Sequence, residues 1–341
     1  MAKAKVLITI TALYTLFSSC AHGQNINAFQ YKTIKNLECK KGAVVSASPI
    51  ASEVGVAILK EGGNAVDAAI ATQLALAVVH PSAGNIGGGG FTIIHLKDGR
   101  NISIDYRETA PEKASRDMYL DSNGNPQMNL SQNSPLSSGV PGSVAGIFEC
   151  MKYAKLPFKK LIQPAITLAE KGFALNAGEA SSLNYIKNYL IKMNSVIPDF
   201  VKNTPWKTGD TLIQKDLANT LKRIRDFGDK GFYEGETAKL IAQQMKKDNG
   251  IITEEDLKNY KAKNRDPTVF DYEGNIVVSM PLPSSGGIIL EQMLKMSAME
   301  SISAMKYGTL ASVQLVTEVE RRAFADRAKY LGDPDFVKVP V

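Results

Sequence analysis

His80-Pro81-Ser82-Ala83-Gly84-Asn85-Ile86-Gly87-Gly88-Gly89-Gly90-Phe91-Thr92-Ile93-Ile94-His95-Leu96 is the stretch that decides the fold. The segment before it, from Ala65 to Val79, is apolar nearly all round, which predicts a helix buried on most sides. Its own end and the residues after it predict a hairpin: Phe91 to Leu96, a Lys97-Asp98-Gly99 turn, then Ile102 to Arg107 with alternating Ile102, Ile104 and Tyr106. The order helix, glycines, strand matters. A dinucleotide fingerprint needs strand, glycines, helix, and a P-loop needs Gly-Lys-Ser/Thr where this chain has Gly90-Phe91-Thr92. The helix N-terminus that would hold a phosphate is on the wrong side. These glycines instead let two backbones approach closely or adopt positive φ.

Upstream, Val44 to Ala47 is a short apolar run that reads as a strand. Ser48-Pro49 reads as N-cap and first position of a helix that Gly62-Gly63 stops. Asn64 caps the buried helix, with Asp67 in its first turn. Downstream, 115–140 reads as a long polar surface loop. From Gly142 to Lys247 the pattern is mostly helical, with breaks at Pro157, Gly172, Pro198, Pro205 and Gly228. Thr253 to Asp256 has capping-box spacing, and a second hairpin joins Thr268–Tyr272 to Ile276–Met280 through Glu273-Gly274-Asn275. Pro283-Ser284-Ser285-Gly286-Gly287 leads into a helix, and another runs from about Leu310 to Tyr330. No parallel βαβ rhythm is sustained, so the fold class is α+β, in layers of helix and sheet.

The chain has 341 residues, 44% of them hydrophobic and 22% charged, enough for a sizeable core. Its formal charge of +6 is scattered, and no basic run alternates with aromatics, which argues against nucleic-acid binding. Residues 1–23 read as an export signal: Lys3 and Lys5, an apolar stretch from Val6 to Phe17, then small residues. Two cleavages fit. Ala21-His22-Gly23 before Gln24 suits ordinary signal peptidase, whereas Leu16-Phe17-Ser18-Ser19-Cys20 resembles a lipobox that would place a lipid on Cys20. Either predicts a periplasmic or secreted protein. Residues 24–41 form a polar lead-in.

Few local patterns carry chemistry. His80 and His95 have no His, Cys or Glu at metal-ligand spacing and read as structural. Cys39 and Cys150 read as idle thiols. Gly142-Ser143 lacks the preceding glycine of a nucleophile elbow, and nothing local points to a Ser–His–Asp triad. Asp105-Tyr106-Arg107-Glu108 is the polar cluster to watch, because Arg107 lies at a strand end beside the glycine loop. A guanidinium there suits a ligand carboxylate bidentately, or an internal ion pair, and spacing alone favours the ion pair.

Several stretches taken together resemble the γ-glutamyltransferase (γ-glutamyltranspeptidase) family. They are Ala57-Ile58-Leu59-Lys60-Glu61-Gly62-Gly63-Asn64-Ala65-Val66-Asp67-Ala68-Ala69, His80-Pro81 with Gly84 to Phe91, and Asp105-Tyr106-Arg107-Glu108-Thr109-Ala110-Pro111. Gly139-Val140-Pro141-Gly142, Pro281 to Gly287 and Tyr330-Leu331-Gly332-Asp333-Pro334-Asp335-Phe336 complete the set. The resemblance implies an N-terminal-nucleophile hydrolase, an αββα sandwich, with 42–341 as the large-subunit part of a single domain. It implies an exported precursor that cuts itself into two subunits. The new N-terminal threonine of the small subunit then attacks a γ-glutamyl amide of glutathione or a similar compound. Water, an amino acid or a peptide accepts the acyl group, and no metal or organic cofactor is implied. That threonine is expected beyond residue 341, so no catalytic residue is assigned here and the chain alone is expected to be inactive. Pro283-Ser284-Ser285 is not the family's serine pair. Only Arg107 carries over, as the arginine that holds the α-carboxylate of the γ-glutamyl group. The alternatives are a related acylase of the cephalosporin or poly-γ-glutamate type and a non-catalytic periplasmic binding domain.

Overall fold

A computed structural model describes residues 38–340. The export signal, with Cys20, His22 and Gln24, lies outside the described residues, as does most of the polar lead-in. The chain divides at Ala43. Residues 38–43 of the first unit are irregular, and the elements below all belong to the second.

Helices α1 (Pro49–Lys60) and α2 (Ala65–Val79) lead into strands β1 (Phe91–His95) and β2 (Asn101–Asp105). After the short α3 (Met128–Gln132) and α4 (Ser143–Cys150) come α5 (Phe158–Lys171), β3 (Phe173–Ala174), α6 (Ala177–Met193) and β4 (Thr211–Leu212). Next in order are α7 (Lys215–Phe227), α8 (Lys230–Tyr233), α9 (Gly235–Lys247), α10 (Glu254–Asn259) and β5 (Lys263–Arg265). The hairpin β6 (Thr268–Tyr272) and β7 (Asn275–Ser279) precedes α11 (Gly286–Met299) and α12 (Leu310–Tyr330). Among the described residues every strand pair is antiparallel: a three-stranded sheet in the order β1-β2-β5, and the pairs β3-β4 and β6-β7. The α+β class is therefore observed.

Helix α2 organises the core. Ile70, Ala71, Leu74, Ala75, Val78 and Val79 are all buried, and α1 and α5 pack against it. Its start is fixed as the sequence predicts. The Asn64 side chain accepts from the amides of Val66 and Asp67, and Asp67 Oδ2 accepts from the Asn64 amide at 2.7 Å. Asp67 does more than cap. It is fully buried and also accepts from the Lys155 and Leu156 amides, so it ties the start of α2 to the chain entering α5. Helix α5 returns the contact with Leu161, Ile162, Ala165, Ile166 and Ala169, a single stripe at helical spacing.

Several local readings differ from expectation, among them the short α3, which falls within the 115–140 segment read as a loop, and the two-residue strands β3 and β4. Val44 to Ala47 forms no strand, since no described strand runs beside it to accept its hydrogen bonds. The second hairpin turns on two residues, Glu273 and Gly274, both at positive φ, so Asn275 already belongs to β7. Strand β5 was not expected. Lys263-Asn264-Arg265 has no apolar alternation, because an edge strand need not bury a side chain to pair. The long helix α12 exposes Leu310, Val313, Val316 and Phe324 while burying Val319 and Ala323.

Replacing Asp67 by Ala removes the acceptor of three part-buried amide hydrogen bonds, each worth about 1 kcal/mol. Asn64→Ala removes one cap and should cost about 1 kcal/mol. Urea unfolding of the two variants checks the order. An Asp67→Ala protein as stable as Asn64→Ala would contradict the bridging role.

Candidate functional site

The glycine loop and the end of β2 lie backbone against backbone. The ladder runs one pair past β1 and β2: the Gly90 amide donates to the Tyr106 carbonyl at 3.2 Å, and the Tyr106 amide to the Gly90 carbonyl at 3.0 Å. A Cβ on Gly89 would stand 2.5 Å from the Tyr106 carbonyl oxygen and 2.8 Å from the Glu108 amide nitrogen, so only glycine fits. Residues 87–90 have no positive φ. Close approach, not unusual torsion, accounts for Gly88, Gly89 and Gly90, whereas a Cβ on Gly87 would meet nothing within 4 Å. The Gly88 carbonyl accepts from the Gly142 and Ser143 amides at 2.8 and 2.9 Å. The start of α4 thus spends two of its free amides on the loop itself.

Arg107 comes next, at the rim. Its amide donates to Asp105 Oδ1 at 3.0 Å, and its carbonyl accepts from the Tyr260 hydroxyl at 2.7 Å. The residue is exposed and lines an open cavity of about 600 Å³. Glu108, Tyr260, Arg265, Arg327 and residues of the segment from Leu331 to Phe336 line it as well. Of the other cations of this cavity, Arg265 and Lys263 have carboxylate partners, Arg327 has a hydroxyl partner, and Lys261 has no ion pair among the described residues. Arg265 Nε donates to Asp105 Oδ2 at 2.7 Å, and its terminal nitrogens pair with both oxygens of Asp335 at 3.1 and 2.7 Å. Lys263 also pairs with Asp335, and Arg327 Nε donates to Ser285 Oγ at 3.0 Å. Among the described residues the Arg107 guanidinium has no carboxylate within ion-pair distance. The internal ion pair that spacing alone favoured is not formed there. It is formed by Arg265.

The sequence pattern did not single out Arg265 or Tyr260. One signal was present: Asp105 sits in the middle strand of a sheet with its side chain only 7% exposed, and a buried carboxylate needs a cation on a neighbouring strand. The register supplies it diagonally, since Asp105 lies opposite Lys263 and bonds Arg265 two residues on. Arg265, and after it Lys263, holds the Asp335 carboxyl well below the usual carboxylate range. His95 Nδ1 bonds Asn101 Oδ1 across the first hairpin, and His80 caps α2. Cys39 and Cys150 are free thiols, and burial pushes Cys150 up to about 11. No three His, Cys, Asp or Glu side chains among the described residues are grouped to hold a metal.

Arg265→Ala should destabilise by about 3 kcal/mol, because it strands the buried Asp105 carboxylate, whereas Lys263→Ala should stay within about 1 kcal/mol. Equal losses would contradict the asymmetry. Since the folded pKa of Asp335 is depressed, its hold on the 331–337 segment is complete above about pH 4 and fades as pH falls through the lowered value. Limited proteolysis of that segment should therefore accelerate below about pH 4, and Asp335→Asn should be fast at every pH.

The comparisons with known proteins agree on one family. A family model described as Gamma-glutamyltranspeptidase matches residues 51–341. The glutathione hydrolase proenzyme of Escherichia coli (strain K12) is 48% identical over 309 residues, which cover 89% of this chain and 53% of that protein. The crystal structure of Helicobacter pylori gamma-glutamyltranspeptidase matches with a TM-score of 0.87 at 47% identity, over 90% of this chain and 88% of that one. The gamma-glutamyltranspeptidase from Pseudomonas nitroreducens complexed with L-DON matches with a TM-score of 0.82 at 42% identity, over 89% of this chain and 90% of that one. The chain spans about half the length of the curated relatives it matches. With a matched family model over most of its length and a shared α+β fold, this chain belongs to the γ-glutamyltranspeptidase family.

Proposed function

We propose that this chain is the donor-binding, large-subunit part of an enzyme that transfers or hydrolyses the γ-glutamyl group of glutathione and related compounds. The observation that carries this is the Arg107 guanidinium, which lines the cavity without a carboxylate partner among the described residues while Arg265 is doubly paired beside it. Its backbone is tethered on both sides, so the side chain is presented rather than loosely hung. In that role Arg107 pairs with the α-carboxylate of the donor by two parallel hydrogen bonds.

The nucleophile is proposed to be the N-terminal threonine of a small subunit cut from the same precursor. Its own amine takes the hydroxyl proton as oxygen attacks the γ-carbonyl, the amine product leaves, and water or an amino acid or peptide amine then takes the acyl group. Arg107 anchors the far end of the donor and so places the γ-carbonyl relative to that nucleophile. The apolar face of α12, with Leu310, Val313, Val316 and Phe324 exposed, supports a covering partner, and we assign that cover to the small subunit. The two together would complete the αββα sandwich. Export to the periplasm or medium, with processing at Cys20 or Gln24, belongs to the same proposal. A mature protein that retains Met1 would refute the export part.

Arg107→Gln in the full-length precursor should lower kcat/KM by the equivalent of about 2–5 kcal/mol, and Arg107→Lys should recover part of it. The loss should fall mainly on KM, because the carboxylate contact is the same in ground and transition states. Subunit cleavage on gels should be normal in both. Unchanged kcat/KM would show that Arg107 does not hold the donor, and failure to cleave would assign it to the fold.

A further inference from the structure

Tyr260 closes α10 as its C-cap and is 6% exposed. Its hydroxyl reaches across the fold to the Arg107 carbonyl, 153 residues away in sequence, at 2.7 Å. On the other side of the same Cα, the Arg107 amide is held by Asp105. Both peptide planes flanking Arg107 are thus fixed, one by the carboxylate of its own strand and one by this phenol. The phenol ring cannot swing away. It stacks on Tyr233 with ring centroids 5.9 Å apart and planes 8° from parallel. Tyr233 is locked in turn: its hydroxyl donates to the Pro141 carbonyl at 2.9 Å and accepts from the Ala145 amide at 3.1 Å. Gly142 makes the room, since a Cβ there would collide with both the Tyr106 carbonyl and the Tyr260 hydroxyl.

A buried tyrosine bonded to one carbonyl is commonly just a satisfied core residue. Tyr260 differs in where its bond lands, on the residue that presents the unpaired guanidinium, and in lining the same cavity. We propose that Tyr260 is a positioning residue for donor binding, whose hydroxyl fixes the 107–108 peptide so that the Arg107 guanidinium meets the donor carboxylate squarely. The proposal rests on the reading of Arg107 as the carboxylate-binding residue. A long side chain amplifies small rotations at its base, and binding groups must be held within about 0.5 Å and 10–20° of their productive geometry. Burial, and then the nearby Asp105 and Glu108 carboxylates, raise the Tyr260 phenol above its ordinary value, so it remains a donor throughout the neutral range.

Tyr260→Phe keeps the stacked ring and deletes only the hydroxyl. In the full-length precursor the variant should cleave normally, keep kcat within about twofold, and raise KM for a γ-glutamyl anilide about 5–20-fold. In an Arg107→Gln background the same change should add less than about twofold, because no guanidinium remains to be aimed. An unchanged KM in Tyr260→Phe, with Arg107→Gln still impaired, would overturn the positioning role and leave the Arg107 reading standing. Unchanged kinetics in Arg107→Gln alone would overturn both. Equal Tyr260→Phe losses in the two backgrounds, or loss of subunit cleavage, would assign the hydroxyl to the fold and overturn the proposal.

Discussion

Three stretches of backbone meet around the Tyr106–Glu108 strand end at a spacing that leaves no room for Cβ atoms on one side. The glycine loop closes on it from β1, and the start of α4 closes on the loop through the Gly88 carbonyl. Tyr106 anchors the junction from within: its ring is buried, and its hydroxyl shares a hydrogen bond with Thr92 at 3.0 Å. Arg107 inherits its position from this contact. A side chain at Gly89 or Gly142 would push the loop or the helix away and release the strand end that carries the arginine.

Charge is sorted around that junction by burial. The more enclosed cation, Arg265, with 14% of its side chain exposed, is matched by two carboxylates. Such a pair, once desolvated, has to be complete, because removing either member leaves a charge with no solvent to take it up. Arg107 is exposed at the rim and needs no such compensation, so its pairing capacity is available to a ligand. Arg265 and Arg107 thus do different work in one cavity: the first holds the sheet to the chain beyond α12, and the second lines the open space without a carboxylate partner among the described residues.

Much of this was legible in the sequence, for physical reasons that differ by element. Helix α2 was readable because its cap, its charge in the first turn and its unbroken apolar surface all point to a buried helix. The β1–β2 hairpin was readable from period-two alternation, and the role of the glycines from the order of helix, loop and strand. Arg107 was readable as a residue to watch, and the family resemblance suggested the role proposed for it. Strand β5, the Arg265–Asp105–Asp335 network and Tyr260 were not readable. Their partners lie 70, 153 and 160 residues apart, and a polar edge strand has no hydrophobic period to announce it. Where Val44 to Ala47 looked like a strand, the apolar run was real, but pairing needs a neighbour that no described residue supplies.

The central claim is that Arg107 is held ready for the α-carboxylate of a γ-glutamyl donor. A crystal structure of the processed protein with a non-hydrolysable γ-glutamyl analogue tests it most directly. The account predicts both carboxylate oxygens about 2.7–3.1 Å from the Arg107 guanidinium nitrogens, with the Tyr260 hydroxyl still on the Arg107 carbonyl. An analogue whose α-carboxylate is held by other residues, with Arg107 turned to solvent or paired to a protein carboxylate, would contradict it.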